Sequence, residues 1–162
     1  DGVLEIENPE LAQERMKTLY ELKGYPKDWI DKRLRGIAIR QNLTDEWKRR
    51  GITEERDYAI LTAEISKATF GVTPSEYKEL KGLSKKHNLR DHMDDLELIF
   101  TMLGERVTTE ISEKEKPDTF LENKQVAKRG GRVAGVAREQ TEKELGRSVI
   151  NENNFLLPND TD

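Results

Sequence analysis

The chain has 162 residues, of which 34% are hydrophobic and 37% charged, and its formal net charge is −4. That balance excludes a protein that coats nucleic acid by bulk positive charge, so any such role has to rest on a local patch. The absence of cysteine excludes disulfides and thiolate metal sites and accords with a reducing compartment. At this length one domain is expected, with a thin core that suits an open helical assembly or one shared with a second copy. No apolar run reaches membrane-spanning length and no signal-peptide pattern opens the chain. A soluble, cytoplasmic protein without contact to membrane is the expectation. The start at Asp1 suggests a piece of something longer.

In chain order, Asn8-Pro9-Glu10 reads as a helix start: a capping side chain, proline in the first turn, then an acid. Leu11, Ala12, Met16, Leu19, Tyr20 and Leu22 are its apolar face, and Gly24 stops it. Pro26 opens a second helix with Trp29, Ile30, Leu34, Ile37 and Ala38 inward and Arg33, Arg35 and Arg40 mostly outward. Thr44-Asp45-Glu46-Trp47 reads as the start of a short third helix ending at Gly51. Thr53-Glu54-Glu55-Arg56 caps a fourth, which Gly71 ends, and Thr73-Pro74-Ser75-Glu76 starts a short fifth through about Leu80. A sixth helix begins near Asn88 and runs to about Lys114, with Met93, Leu96, Ile99, Phe100, Leu103 and Val107 buried; Pro117 prevents its continuation.

The seventh helix, within Asp118–Gly146, has two contrasting faces. Phe120, Ala127, Gly131, Ala134, Thr141 and Leu145 share one arc at 3.6 residues per turn, with Gly130, Val133 and Ala137 beside it. Lys124, Lys128, Arg129 and Arg132 lie opposite. Each glycine inside a helix costs about 1 kcal/mol relative to alanine. A second helix lying close against Ala127, Gly130, Gly131, Ala134 and Gly135 would offset that cost. The competing reading breaks the helix at the glycine pair, with Gly130 as a C-terminal cap. The basic face is either a solvated surface or a contact for a partner or nucleic acid. No segment alternates as a strand does. The prediction is therefore all-α: an irregular domain of about seven helices over residues 1–146, with a long glycine- and alanine-containing C-terminal helix, followed by a polar tail at 147–162.

The chemistry-bearing residues point away from catalysis. His87 and His92 are five apart, do not share a helix face, and have no third ligand at zinc-site spacing. Asp91, Asp94 and Asp95 are better explained as acids at a helix start. The KRGGRVAG run lacks the preceding strand of a dinucleotide fingerprint, and no serine sits on a nucleophile elbow. A helix-turn-helix across Ile60–Leu83 would make a reader of a helix carrying Glu76, Lys78, Glu79 and Lys81, which has no net charge for phosphate. No catalytic, cofactor-binding or metal-binding residue is assigned, and no cofactor is expected.

Four long phrases go beyond generic helices: LTDEWKRRGI (43–52), DYAILTAEISKATFGVTPSEYKELKGL (57–83), NLRDHMDDLELIFTMLGE (88–105) and ENKQVAKRGGRVAGVARE (122–139). With the stretch from Glu5 through Arg40, they resemble the C-terminal region of the DNA-damage-inducible protein D family, related to phage antirepressors with a BRO-type N-terminal domain. The resemblance spans about Glu5 to Ile150. It implies a non-enzymatic regulator of the SOS response or of a prophage switch, acting on other proteins. It also implies that association with DNA belongs to the BRO-type domain, which is not in this sequence. Ala127, Gly130, Gly131, Ala134 and Gly135 are the residues expected to mediate helix packing or homo-oligomerisation. Lys124, Lys128, Arg129 and Arg132 are expected to contact a protein partner. Weak nucleic-acid binding by that face is the alternative, and a metal-dependent hydrolase or nuclease the second.

Overall fold

The computed structural model describes residues 9–155, and among them there are six α-helices and no strand. They are α1 (Pro9–Leu22), α2 (Lys27–Arg49), α3 (Glu55–Phe70), α4 (Pro74–Leu80), α5 (Asp95–Glu115) and α6 (Phe120–Leu145), with a 3-10 turn at Leu89–His92 before α5. The all-α prediction holds. Asn8, expected to cap α1, lies outside the described residues.

Two expected helices are one. The start signal at Thr44-Asp45 is overridden because Leu43, Glu46 and Trp47 continue the buried face of Trp29, Ile30, Arg33, Gly36 and Ile39. Asp45 does not cap; it accepts from the Gln41 side-chain amide at 2.9 Å, one turn back along the same helix. The start at Thr73 acts as read, whereas Glu54 and not Thr53 stands before α3, without a side-chain cap, and α5 begins at Asp95, after a separate 3-10 turn where its start was expected near Asn88. Thr73 with Glu76, Asp94 with Glu97, and Thr119 with Glu122 form reciprocal capping boxes at α4, α5 and α6.

α6 lies between α3 and α5, α5 packs in turn on α2, and α1 folds against α2. One apolar cluster gathers Tyr20, Tyr25, Trp29, Phe70, Tyr77, Met93, Leu98 and Phe100. A second joins Leu43, Trp47, Leu61, Ile65 and Ala127. Leu19 and Leu22 are not buried, at 55% and 80% exposure, because α1 has a neighbour on one side only.

The buried side of α5 also differs from expectation. Ile99 is exposed, whereas Glu97, Gly104, Glu105, Thr108, Thr109 and Ser112 are buried. A helix held between two others needs a narrow side, and α5 meets its neighbours with small or hydrogen-bonded residues. Beyond α6, Val149 is fully buried and Phe155 stacks on Trp29 at 5.5 Å between ring centroids. The expected polar tail therefore packs against the core as far as residue 155.

Candidate functional site

α6 is continuous through its glycine pair, so the break at Gly130 does not occur; the helix ends at Gly146, where φ is +70°. The whole small-residue set is buried: Ala127 and Ala134 are completely inaccessible, and Gly130, Gly131 and Gly135 are buried with them. A methyl group on Gly131 would lie 2.6 Å from the Ile65 carbonyl oxygen and 2.8 Å from Ala68 Cβ on α3. One on Gly135 would strike the Ala68 carbonyl oxygen. On the other flank, a methyl on Gly130 would sit 2.7 Å from the Thr108 backbone of α5. Gly104 is where the three helices converge, since a Cβ there would come within 2.8 Å of Thr69 Oγ1 and 3.6 Å of Ala134 Cβ. This is close backbone packing inside one chain. The seam is filled by α3 and α5, and these residues have no surface left with which to hold a second copy.

Polar bonds lock the seam. The Thr69 hydroxyl donates to the Gly131 carbonyl at 3.3 Å, and Arg138 Nε donates to the Thr69 carbonyl at 2.6 Å, closing the end of α3. Arg138 also pairs with Glu142 at 2.8 Å, and Glu142 accepts from the Val149 backbone N–H at 2.9 Å. The glycine seam thus positions the C-terminal segment.

The four cations expected to contact a partner are on the outer side, and each has a carboxylate nearby. Lys124 and Lys128 approach Glu64 at 3.7 and 3.9 Å. Arg129 forms a two-pronged pair with Glu115, both bonds 2.7 Å, and Arg132 lies 3.5 Å from Glu139. Arg129 holds the Glu115 carboxyl below the ordinary carboxylate range by hydrogen bonding, and its own guanidinium is raised in return. The basic face is therefore mixed in sign. It also presents apolar side chains: Leu121, Val133 and Val136 are 64%, 48% and 51% exposed.

Periodicity missed the buried charges. Glu105 is 1% exposed and accepts two bonds from Arg90, at 2.8 and 2.7 Å, and one from Arg40 at 2.9 Å. Burial would raise its pKa, but the two guanidinium groups hold it below the ordinary range. Arg33, expected outward, is buried on Asp91 at 3.0 Å, and Asp91 also accepts from the Tyr20 hydroxyl at 2.7 Å. Lys81 and Glu97 are both inaccessible and pair at 3.1 Å; Tyr77 donates to the same carboxylate, and Lys81 donates to the Asn153 carbonyl at 2.6 Å. Burial pushes the Tyr77 hydroxyl pKa far upward, so it stays a donor. An apolar-periodicity search cannot find such residues. The one sequence signal, an acid three positions after a capping residue, marks Glu97 alone among them.

His87 and His92 meet edge to face at 5.5 Å. Among the described residues no group of three or more histidine, aspartate or glutamate side chains is placed to hold a metal ion. Within the same residues no helix is long and apolar enough to cross a membrane. Helix α4 is only seven residues long and is anchored by the fully buried Tyr77. Comparison with models of protein families, with curated proteins and with solved structures gave no match to this chain.

Proposed function

We propose that this chain is a non-enzymatic regulatory interaction module that offers the outer face of α6 to a protein partner in the cytoplasm. The setting, a DNA-damage response or a prophage antirepressor switch, rests on the family resemblance of the four phrases alone. The observation that carries the contact surface is the mixed strip of Leu121, Lys128, Arg132, Val133 and Val136 on a helix clamped along its opposite side. Singly exposed apolar residues are ordinary on a protein surface. Three on one rigid helix, interleaved with cations, supply apolar anchors and a charged rim without any ordering of the helix itself.

This reading favours a protein over a nucleic acid. Lys124, Lys128, Arg129 and Arg132 share the face with Glu64, Glu115 and Glu139, which cancel most of the attraction for phosphate. Homo-oligomerisation, if it uses α6, must use this outer strip, because the glycine side is filled. The test is a pull-down from DNA-damaged cells with this chain tagged at either end, each bait also as the Val133→Asp, Val136→Asp double variant. The wild-type baits should capture a protein that the variant loses while its thermal melt is unchanged. Capture that survives the double variant would show that the outer strip is not the contact. Light scattering on the isolated chain reads self-association directly, against a monomer of 18.7 kDa.

A further inference from the structure

A cavity of about 440 Å³ opens between α3, α4, the loop carrying residues 84–90, and α5, and none of its lining residues belongs to α6. A neighbouring hollow shares Thr62, Asn88 and Arg90 with it and extends to α2. Together their walls hold five cationic side chains, Arg33, Arg40, Lys78, Lys86 and Arg90, against two carboxylates, Glu105 in the wall and Asp91 paired with Arg33 at 3.0 Å. In a chain whose net charge is −4, this concentration of positive charge runs against the whole. A concave, low-dielectric wall strengthens such a field towards anions.

The groups are built differently. Glu105 binds both Arg40 and Arg90 from below, so the two guanidinium groups are fixed before any ligand arrives. Arg40 is held further by Thr62 Oγ1 at 2.7 Å and lies 5.3 Å over the Trp47 ring. Lys86 is exposed, and among the described residues the Lys78 ammonium donates to the Lys85 carbonyl at 3.2 Å, which leaves ammonium donors for a ligand. His87, whose Nδ1 lies 3.0 Å from the Ser84 backbone N–H, is also part of the wall. The deeper lining is apolar, with Ile65, Phe70, Leu89 and Met93. Cavities that take small molecules commonly measure about 300–1,000 Å³ and combine apolar walls with a few polar anchors.

We propose that this cleft binds an organic phosphate monoester, its phosphate on Lys78, Lys86 and Arg90 and its apolar or ring-bearing body against Phe70 and Met93. A free mononucleotide and the terminal phosphate of a short strand carry the same chemistry. The proposal is independent of the protein-partner surface on α6.

Calorimetric titration at low ionic strength tests it, with adenosine monophosphate, inorganic phosphate and a 5′-phosphorylated tetranucleotide as probes. One-to-one binding of the nucleotide or of the tetranucleotide supports the site, and the tighter of the two identifies the source. Inorganic phosphate should bind at least roughly ten-fold more weakly, because it lacks the body. Removing one charge-assisted bond by Lys78→Ala or Lys86→Ala should weaken binding roughly ten-fold, whereas Lys48→Ala, outside the cleft, should leave it unchanged. The two lysine variants leave the Glu105 network intact, so their folding is not at issue. No binding by either organic probe, inorganic phosphate binding as tightly as the nucleotide, or full affinity in the Lys78→Ala, Lys86→Ala double variant would each overturn the proposal.

Discussion

Replacing Gly131 by alanine sets two effects of opposite sign against each other. Inside a helix the change should stabilise by about 1 kcal/mol through propensity. The new methyl, however, would lie 2.6 Å from the Ile65 carbonyl oxygen, 2.8 Å from Ala68 Cβ and 3.1 Å from Ile65 Cα. Two of those three atoms are backbone and cannot rotate away, so α6 has to move off α3. Restoring ordinary contact needs close to ~1 Å of separation, and a gap of that order forfeits about a quarter to a half of each dispersion contact along the seam. It also stretches the 3.3 Å bond from Thr69 to the Gly131 carbonyl beyond hydrogen-bonding range. Overpacking of this kind costs about 1–3 kcal/mol, and the lost buried bond about 1 kcal/mol more. After the helix gain is subtracted, the expected net loss is about 2 kcal/mol, or ~4–8 °C in Tm for a chain of this size. Gly36→Ala is the internal control. Gly36 is also buried in a helix, but its added methyl would meet only Met102 side-chain atoms, at 3.6 and 3.7 Å. That variant should gain up to about 1 kcal/mol. Both are read from urea and thermal melts followed by circular dichroism. If Gly131→Ala proved as stable as the wild type, the close approach of α3 and α6 would be wrong.

Three further variants probe other parts of the structure. Glu105→Gln leaves Arg40 and Arg90 without their counter-ion and should destabilise by about 3 kcal/mol, the low end for breaking a buried pair because both arginines reach solvent. The folded pKa of Glu105 is below its unfolded value, so its contribution is present above the ordinary carboxylate pKa of about 4.3 and is lost as pH falls through the folded value. Urea midpoints measured against pH should therefore show a shallower acid limb in Glu105→Gln than in the wild type. Phe155→Ala removes the ring stacked on Trp29 and should cost about 1–2 kcal/mol while changing tryptophan emission; unchanged emission would show that the segment does not dock there. Lys81→Met strips the buried Glu97 of its ammonium and releases the Asn153 carbonyl, and should both lower Tm and speed proteolysis after residue 146.

The sequence by itself determined the helices and most of their ends, because these depend on signals a few residues apart. Proline after a capping side chain, an acid three positions on, and glycine at the stop satisfy orphan backbone groups locally, and Thr73 acts as read. It also marked the face of α6 on which two backbones could nearly touch, since only missing side chains permit that. What filled the face was decided by tertiary structure: α3 and α5 of the same chain, not another copy. The same is true of α2, where a local start signal at Thr44 yielded to a continuous buried face. Glu105, Glu97, Arg33 and Lys81 were illegible for a related reason. A charged residue is tolerated inside only when its partner arrives from elsewhere in the chain, and Arg40 and Glu105 are 65 positions apart. Local chemistry therefore shaped each helix, while the pairing of distant charges and the absence of a few Cβ atoms decided how the helices came together.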